Sequence, residues 1–141
     1  TIAYSPDGTE RFNRFQDAKA TYKELRGWQW EDRWNPKFHI TFAVLDDRTN
    51  FRKMKIFFRD DVNAWAGALI CYNAGPGTVS KRRALCLKTS GCDPSMWFGG
   101  LDSITLPGET RLLYGVALKV RRDAYPRNII FKRSEKYRGY F

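Results

Sequence analysis

The sequence predicts a mainly β fold, an antiparallel sandwich or barrel with one amphipathic helix at its N-terminal end. Three observations carry this expectation. Apolar residues alternate with period two along much of the chain after Pro36, and clusters of Gly, Pro, Asp and Asn interrupt those runs at short intervals. One stretch, near the N-terminus, stands out by repeating its apolar residues at three- and four-residue steps. A length of 141 residues suits one domain, 1–141, with room for a real core.

The helix comes first. Phe12, Phe15, Ala18, Tyr22 and Leu25 share one face, "SPDGTE" before them supplies turn and capping residues, and Gly27 reads as a stop. These bounds predict a helix over about 9–26. Strands are expected from about 38 to the C-terminus. "FHITFAVL" puts Phe38, Ile40, Phe42 and Val44 on one face, "DDRTN" reads as a turn, and "FRKMKIFFR" alternates again, so the two runs predict an antiparallel pair. "NAWAGALICYN" is apolar on both faces and fits a buried strand or a short helix, while "AGPG" breaks the chain. "TVSKRRALCLKT" then predicts a strand, and 90–109 a long loop. "TRLLYGVALKVRRD" predicts a strand with Leu112, Tyr114, Val116, Leu118 and Val120 on one face. "AYPRN" predicts a turn, and "NIIFKRSEKYRGYF" a final strand.

Net charge is +10, with the excess at one end. Residues 1–75 hold 12 Lys/Arg against 10 Asp/Glu, and residues 76–141 hold 13 against 5. Such a surplus attracts polyanions. No apolar run approaches the ~18 residues of a membrane span, and no secretory signal opens the chain. Cys71, Cys86 and Cys92 are odd in number and form no CxxC pair, which predicts free thiols and an intracellular, reducing compartment; Cys86 and Cys92 are close enough in sequence to be bridged. With the lone His39 they match no familiar zinc spacing, so neither a metal nor another cofactor is expected.

A metal-dependent nuclease would need converging carboxylates. Asp46, Asp47, Asp60 and Asp61 form two doublets, but on the expected hairpin they sit at opposite ends, about 30 Å apart at ~3.3 Å per residue. Each doublet is more simply a strand-end charge pair. No nucleophile elbow or phosphate-binding loop is present, "GPGT" lacking the required Lys-Ser/Thr ending. The chain is therefore read as non-enzymatic.

The positive signal is cations interleaved with aromatics. Lys81, Arg82, Arg83, Lys119, Arg121, Arg122, Arg127, Lys132, Arg133, Lys136 and Arg138 are candidates for phosphate neutralisation, and Tyr137 and Tyr140 for base stacking. Trp28, Trp30 and Trp34 would share a face if extended. They suit either a lid over the core or a stacking platform, with Glu31 and Asp32 counting against the platform.

"ETRLLYGVALKV…YPRNIIFKRSEKYRGYF" resembles the closing strands of the single jelly-roll coat proteins of small circular single-stranded DNA viruses. "ITFAVLDDRTN" is similar to an apolar strand of that family ending in a charged turn. The resemblance implies a jelly-roll-like shell protein, a homo-oligomer located in virion or nucleus, that packs nucleic acid against a basic surface. The family's basic N-terminal arm is not matched by "TIAYSPDGTERF". Residues and resemblance together predict a nucleic-acid-binding protein that contacts single-stranded DNA or RNA backbone with little sequence specificity. The alternatives are a cellular single-strand-binding module of RNA metabolism, a nuclease using the Asp46/Asp47/Asp60/Asp61 set, and a protein-interaction or effector domain whose basic face meets an acidic partner.

Overall fold

The computed structural model describes residues 2–137, the last of them by its backbone alone. The protein is 61% helical with two small two-stranded sheets, and the described residues form neither a barrel nor a sandwich. The mainly β, jelly-roll-like expectation is thereby corrected. Backbone contacts divide the chain into two units, Thr1–Asp46 and Asp47–Phe141, and the division falls inside a helix.

In the first unit, strands β1 (Ile2–Tyr4) and β2 (Glu10–Asn13) pair antiparallel, with Ile2 opposite Asn13 and Ala3 opposite Phe12. "SPDGT" closes this hairpin: the Asp7 carboxylate accepts the Thr9 N–H at 3.0 Å, and Gly8 supplies the positive φ of 83°. The predicted helix therefore starts later, as α1 (Arg14–Thr21), because the Asn13 side chain accepts the N–H groups of Phe15 and Gln16. It ends at extended Tyr22 rather than at Gly27, and a 3-10 turn over Lys23–Leu25 follows. Phe15, Ala18, Leu25 and Phe38 form this unit's core.

Helix α2 (Pro36–Met54) replaces both strands predicted over 38–59 and the turn between them. Its start is set by local chemistry. The Asn35 side chain accepts the Lys37 N–H at 2.9 Å, and Pro36 fills the first helical position, where its missing N–H costs nothing. Phe38, Phe42 and Leu45 stand at i, i+4 and i+7 and pack together, while Ile40 and Val44 face solvent. Alternation was thus the coincidental pattern, and the helical repeat the one that buries surface.

In the second unit, α2 contributes Phe51 and Met54 to a core built on α3 (Asp61–Ala74) and α4 (Pro76–Cys86). "NAWAGALICYN" is the helix of its two readings, buried at Ala64, Ala66, Ala68, Ile70 and Cys71. Asp60 caps it by accepting the Asn63 N–H at 2.8 Å. Gly75, at φ 85°, ends α3 as Pro76 opens α4, so the strand predicted over 78–89 is also helical. Gly67 lies where α3 meets the end of α2: a Cβ there would approach Phe58 Cε2 to 2.5 Å and Met54 Sδ to 3.1 Å.

The predicted long loop is irregular, as expected, with one 3-10 turn at Leu101–Ser103. It wraps the fully buried Trp97. Asn63 fastens it to α3, its Oδ1 accepting the N–H groups of Trp97 at 2.8 Å and Phe98 at 3.0 Å. The strand predicted after it shrinks to a hairpin of β3 (Leu112–Leu113) and β4 (Val116–Ala117). Helix α5 (Leu118–Arg127), a π-helical turn (Asn128–Arg133) and α6 (Ser134–Tyr137) replace the rest of that strand and, up to Tyr137, the final one. Cys86 and Cys92 are joined by a disulfide, correcting the free-thiol expectation for both, and Cys71 is buried in the core. No helix among the described residues is long and apolar enough to cross a membrane.

Two outcomes follow from this packing. Gly67→Ala should lower unfolding stability by about 1–3 kcal/mol despite alanine's better helix propensity, because Phe58 and Met54 must move; chemical denaturation monitored by circular dichroism measures it. Replacing Cys86 and Cys92 with serine should cost about 2 kcal/mol in the same measurement, the value for closing so short a loop.

Candidate functional site

A buried guanidinium decides which of the predicted cations are free to act. Arg82, on α4, is 0% exposed. Its Nη2 donates to both oxygens of Glu109, at 3.0 and 3.2 Å, and its Nη1 donates to Asp123 Oδ1 at 2.6 Å. The guanidinium also lies 5.3 Å from the centre of the Trp97 ring. Glu109, 1% exposed, further accepts from Arg122 Nη1 at 2.9 Å and from the Leu106 N–H at 2.8 Å. Burial alone would push the Glu109 carboxyl up. The Leu106 N–H, Arg122 and Arg82 outweigh that and hold it below its ordinary value. Lys119 donates to Asp123 and to the Asp102 carbonyl, and Arg127 pairs with Asp102 at 2.7 Å.

Four of the eleven predicted phosphate ligands, Arg82, Lys119, Arg122 and Arg127, are therefore committed to internal carboxylates. Arg82 cannot reach solvent at all. The pattern "KRR" did not reveal this, because which cation of a helical triplet points inward depends on the acids the fold brings to it. Lys81, Arg121, Lys132 and Arg133 are exposed and have no carboxylate partner among the described residues; Arg83 is half-buried and Lys136 exposed. Arg138 and Tyr140 lie outside the described residues, and only the backbone of Tyr137 is described.

The hairpin adds a residue that the strand reading placed on a strand face with apolar neighbours. Tyr114 is 88% exposed at the tip of β3–β4. Leu112 pairs with Ala117 and Leu113 with Val116, leaving Tyr114 and Gly115 as a two-residue turn with φ of 51° and 77°. Two positive φ values in succession suit Asn-Gly or Gly-Gly, so a tyrosine here holds a disfavoured backbone. Arg121 stands over its ring at 5.3 Å from the centre and donates to the Leu113 carbonyl at 3.3 Å. The Tyr-Gly dipeptide between "LL" and "VA" was the available signal for this turn.

The remaining candidates have local roles. Asp46 accepts from the Tyr22 hydroxyl at 3.0 Å and lies 3.9 Å from Arg14. Asp47 lies close enough to the Tyr125 hydroxyl to add to the upward pKa shift that burial gives it. Asp60 is the α3 cap, and Asp61 pairs with Lys55 at 3.0 Å. No cluster of His, Cys, Asp or Glu among the described residues could hold a metal ion. The tryptophans divide. Trp28 packs edge-on against Phe38 and Trp30 against Phe15, whereas Trp34 is 76% exposed, and a 3-10 turn over Trp30–Trp34 removes the extended face they would have shared.

Compared with known proteins, the chain matches no family model, no curated protein and no solved structure. Of the segments quoted for the coat-protein resemblance, 112–117 form the short β3–β4 hairpin, 118–137 are helical and 40–50 lie within α2, so the described residues do not form the closing strands of a jelly roll.

Glu109 supplies a pH signature. Its carboxyl is held below its unfolded-state value, so its contribution is present above about pH 4 and disappears as pH falls through the folded value. Glu109→Gln should cost about 3 kcal/mol at neutral pH by removing one of the two carboxylates that neutralise the buried Arg82, Asp123 remaining as the other, and should flatten the acid limb of stability against pH measured by denaturant titration.

Proposed function

We propose that the second unit is a non-enzymatic module that holds single-stranded nucleic acid by its phosphate backbone, with Tyr114 offering a ring to the bases. Charge partition is the observation that supports this reading. Residues 1–46 contain 7 Lys/Arg and 7 Asp/Glu, whereas 47–141 contain 18 against 8, so the whole net charge of +10 belongs to the second unit. Because the internal network uses four cations, the surface excess rests on others, among them Lys81, Arg121, Lys132 and Arg133. Lysine and arginine on such a surface gain free energy by releasing the counterions condensed on a polyanion, and an exposed ring beside a guanidinium suits stacking on any base.

The Tyr114–Arg121 pair directs the test. Fluorescence anisotropy with a labelled single-stranded oligonucleotide should show affinity falling steeply with salt, log K against log[salt] being linear. Tyr114→Ala should weaken binding by about tenfold at fixed salt, in line with ~1–3 kcal/mol per stacked base, without changing the slope. Lys132→Glu with Arg133→Glu should reduce the slope itself. A flat salt dependence, or binding indifferent to all three substitutions, would reject the proposal.

A further inference from the structure

The end of α2 and one face of α4 leave a depression of about 180 Å³ that neither the core nor the basic surface uses. Met54 and Val79, both buried, form its floor, and the half-exposed Phe57 and exposed Leu87 its walls. Val79, Arg83 and Leu87 recur at i, i+4 and i+8 along α4, so one helix face supplies most of the lining. Arg83 closes one side, its guanidinium 5.1 Å from the centre of the Phe57 ring. The Arg83 Nε–H is buried and has no acceptor, and among the described residues Arg83 makes neither hydrogen bond nor ion pair.

We infer that this depression is a docking site for an acidic peptide segment of a partner protein, which seats one apolar side chain on Met54 and Val79 and places a neighbouring carboxylate on Arg83. Size argues against a free small molecule. Sites for such ligands occupy about 300–1,000 Å³, whereas a single anchoring side chain from a partner needs far less. Chemistry chooses the sign. Arg83 is half-buried and makes no ion pair among the described residues, so its guanidinium is open to an acceptor, and a carboxylate makes the strongest such bond. The second unit's net charge of +10 favours the approach of an acidic segment. Apart from Arg83, the lining is largely apolar and has no exposed cation to track a phosphate backbone, which sets this site apart from the nucleic-acid reading.

The test is an NMR titration of the ¹⁵N-labelled full chain with N-acetylated, C-amidated peptides that pair one Leu or Phe with one Asp. The Asn versions serve as controls. Saturable shifts should centre on the amides of Phe57, Ala84 and Leu87, and affinity should fall about tenfold from the Asp to the Asn peptide, the difference expected for losing a charge-assisted bond. Arg83→Gln should abolish that preference, and Leu87→Asp should block binding altogether. Since Leu87 is exposed, that variant should still fold. Equal affinity for the Asp and Asn peptides, shifts spread over the basic surface without saturation, or an unchanged preference in Arg83→Gln would each overturn the inference. So would a single-stranded oligonucleotide that moves the same amides, because the depression would then belong to the nucleic-acid surface.

Discussion

Placing the guanidinium of Arg82 out of water obliges the second unit to surround it with acids. A lone buried cation is too costly to keep, so Glu109 and Asp123 must come to it from the long loop and from α5. Those two carboxylates recruit Arg122 and Lys119, and Lys119 in turn reaches the Asp102 carbonyl. One buried charge thereby ties α4, the irregular 101–109 segment and α5 into a single polar knot beside Trp97. Such a knot adds less net stability than its many bonds suggest, because desolvation offsets much of the attraction. What it does supply is a constraint on packing, since an arrangement that parted Arg82 from both acids would strand a buried charge.

The hairpin inherits its position from that knot. The Lys119 N–H donates to the Glu109 carbonyl at 2.9 Å, and the Leu118 N–H to the Arg111 carbonyl at 3.0 Å, so both ends of β3–β4 are pinned beside the buried pair. With its base held, the turn can keep a tyrosine where the backbone would favour asparagine or glycine. Support beneath an exposed ring and guanidinium would suit the proposed stacking, because less freedom is then lost on contact.

Charge and apolar surface are used separately in this unit. Cations facing carboxylates are structural, those facing water carry the long-range field, and Arg83 does neither. Its guanidinium rests on Phe57, a placement typical of arginine, whose weakly hydrated plane tolerates an aromatic face better than a lysine ammonium does.

Composition and local chemistry determined several features without help from the fold. The basic half, the Gly75-Pro76 break and the irregular 90–109 segment all follow from residue properties that act over a few positions. Period was the unreliable guide. Phe38, Ile40, Phe42 and Val44 alternate, yet Phe38, Phe42 and Leu45 also mark one side of a helix, and a short apolar run satisfies both templates. The same ambiguity hid helices in "TVSKRRALC" and "LKVRRDAYPR", where no strand among the described residues pairs with them to make an extended segment worthwhile. Only tertiary structure could decide which cation of "KRR" turns inward and whether Cys86 meets Cys92. It alone could also set Tyr114 in solvent rather than in a core. Each outcome depends on groups distant in sequence, Glu109 and Asp123 above all, and a buried charge can be placed only when the acids that neutralise it arrive with the rest of the fold.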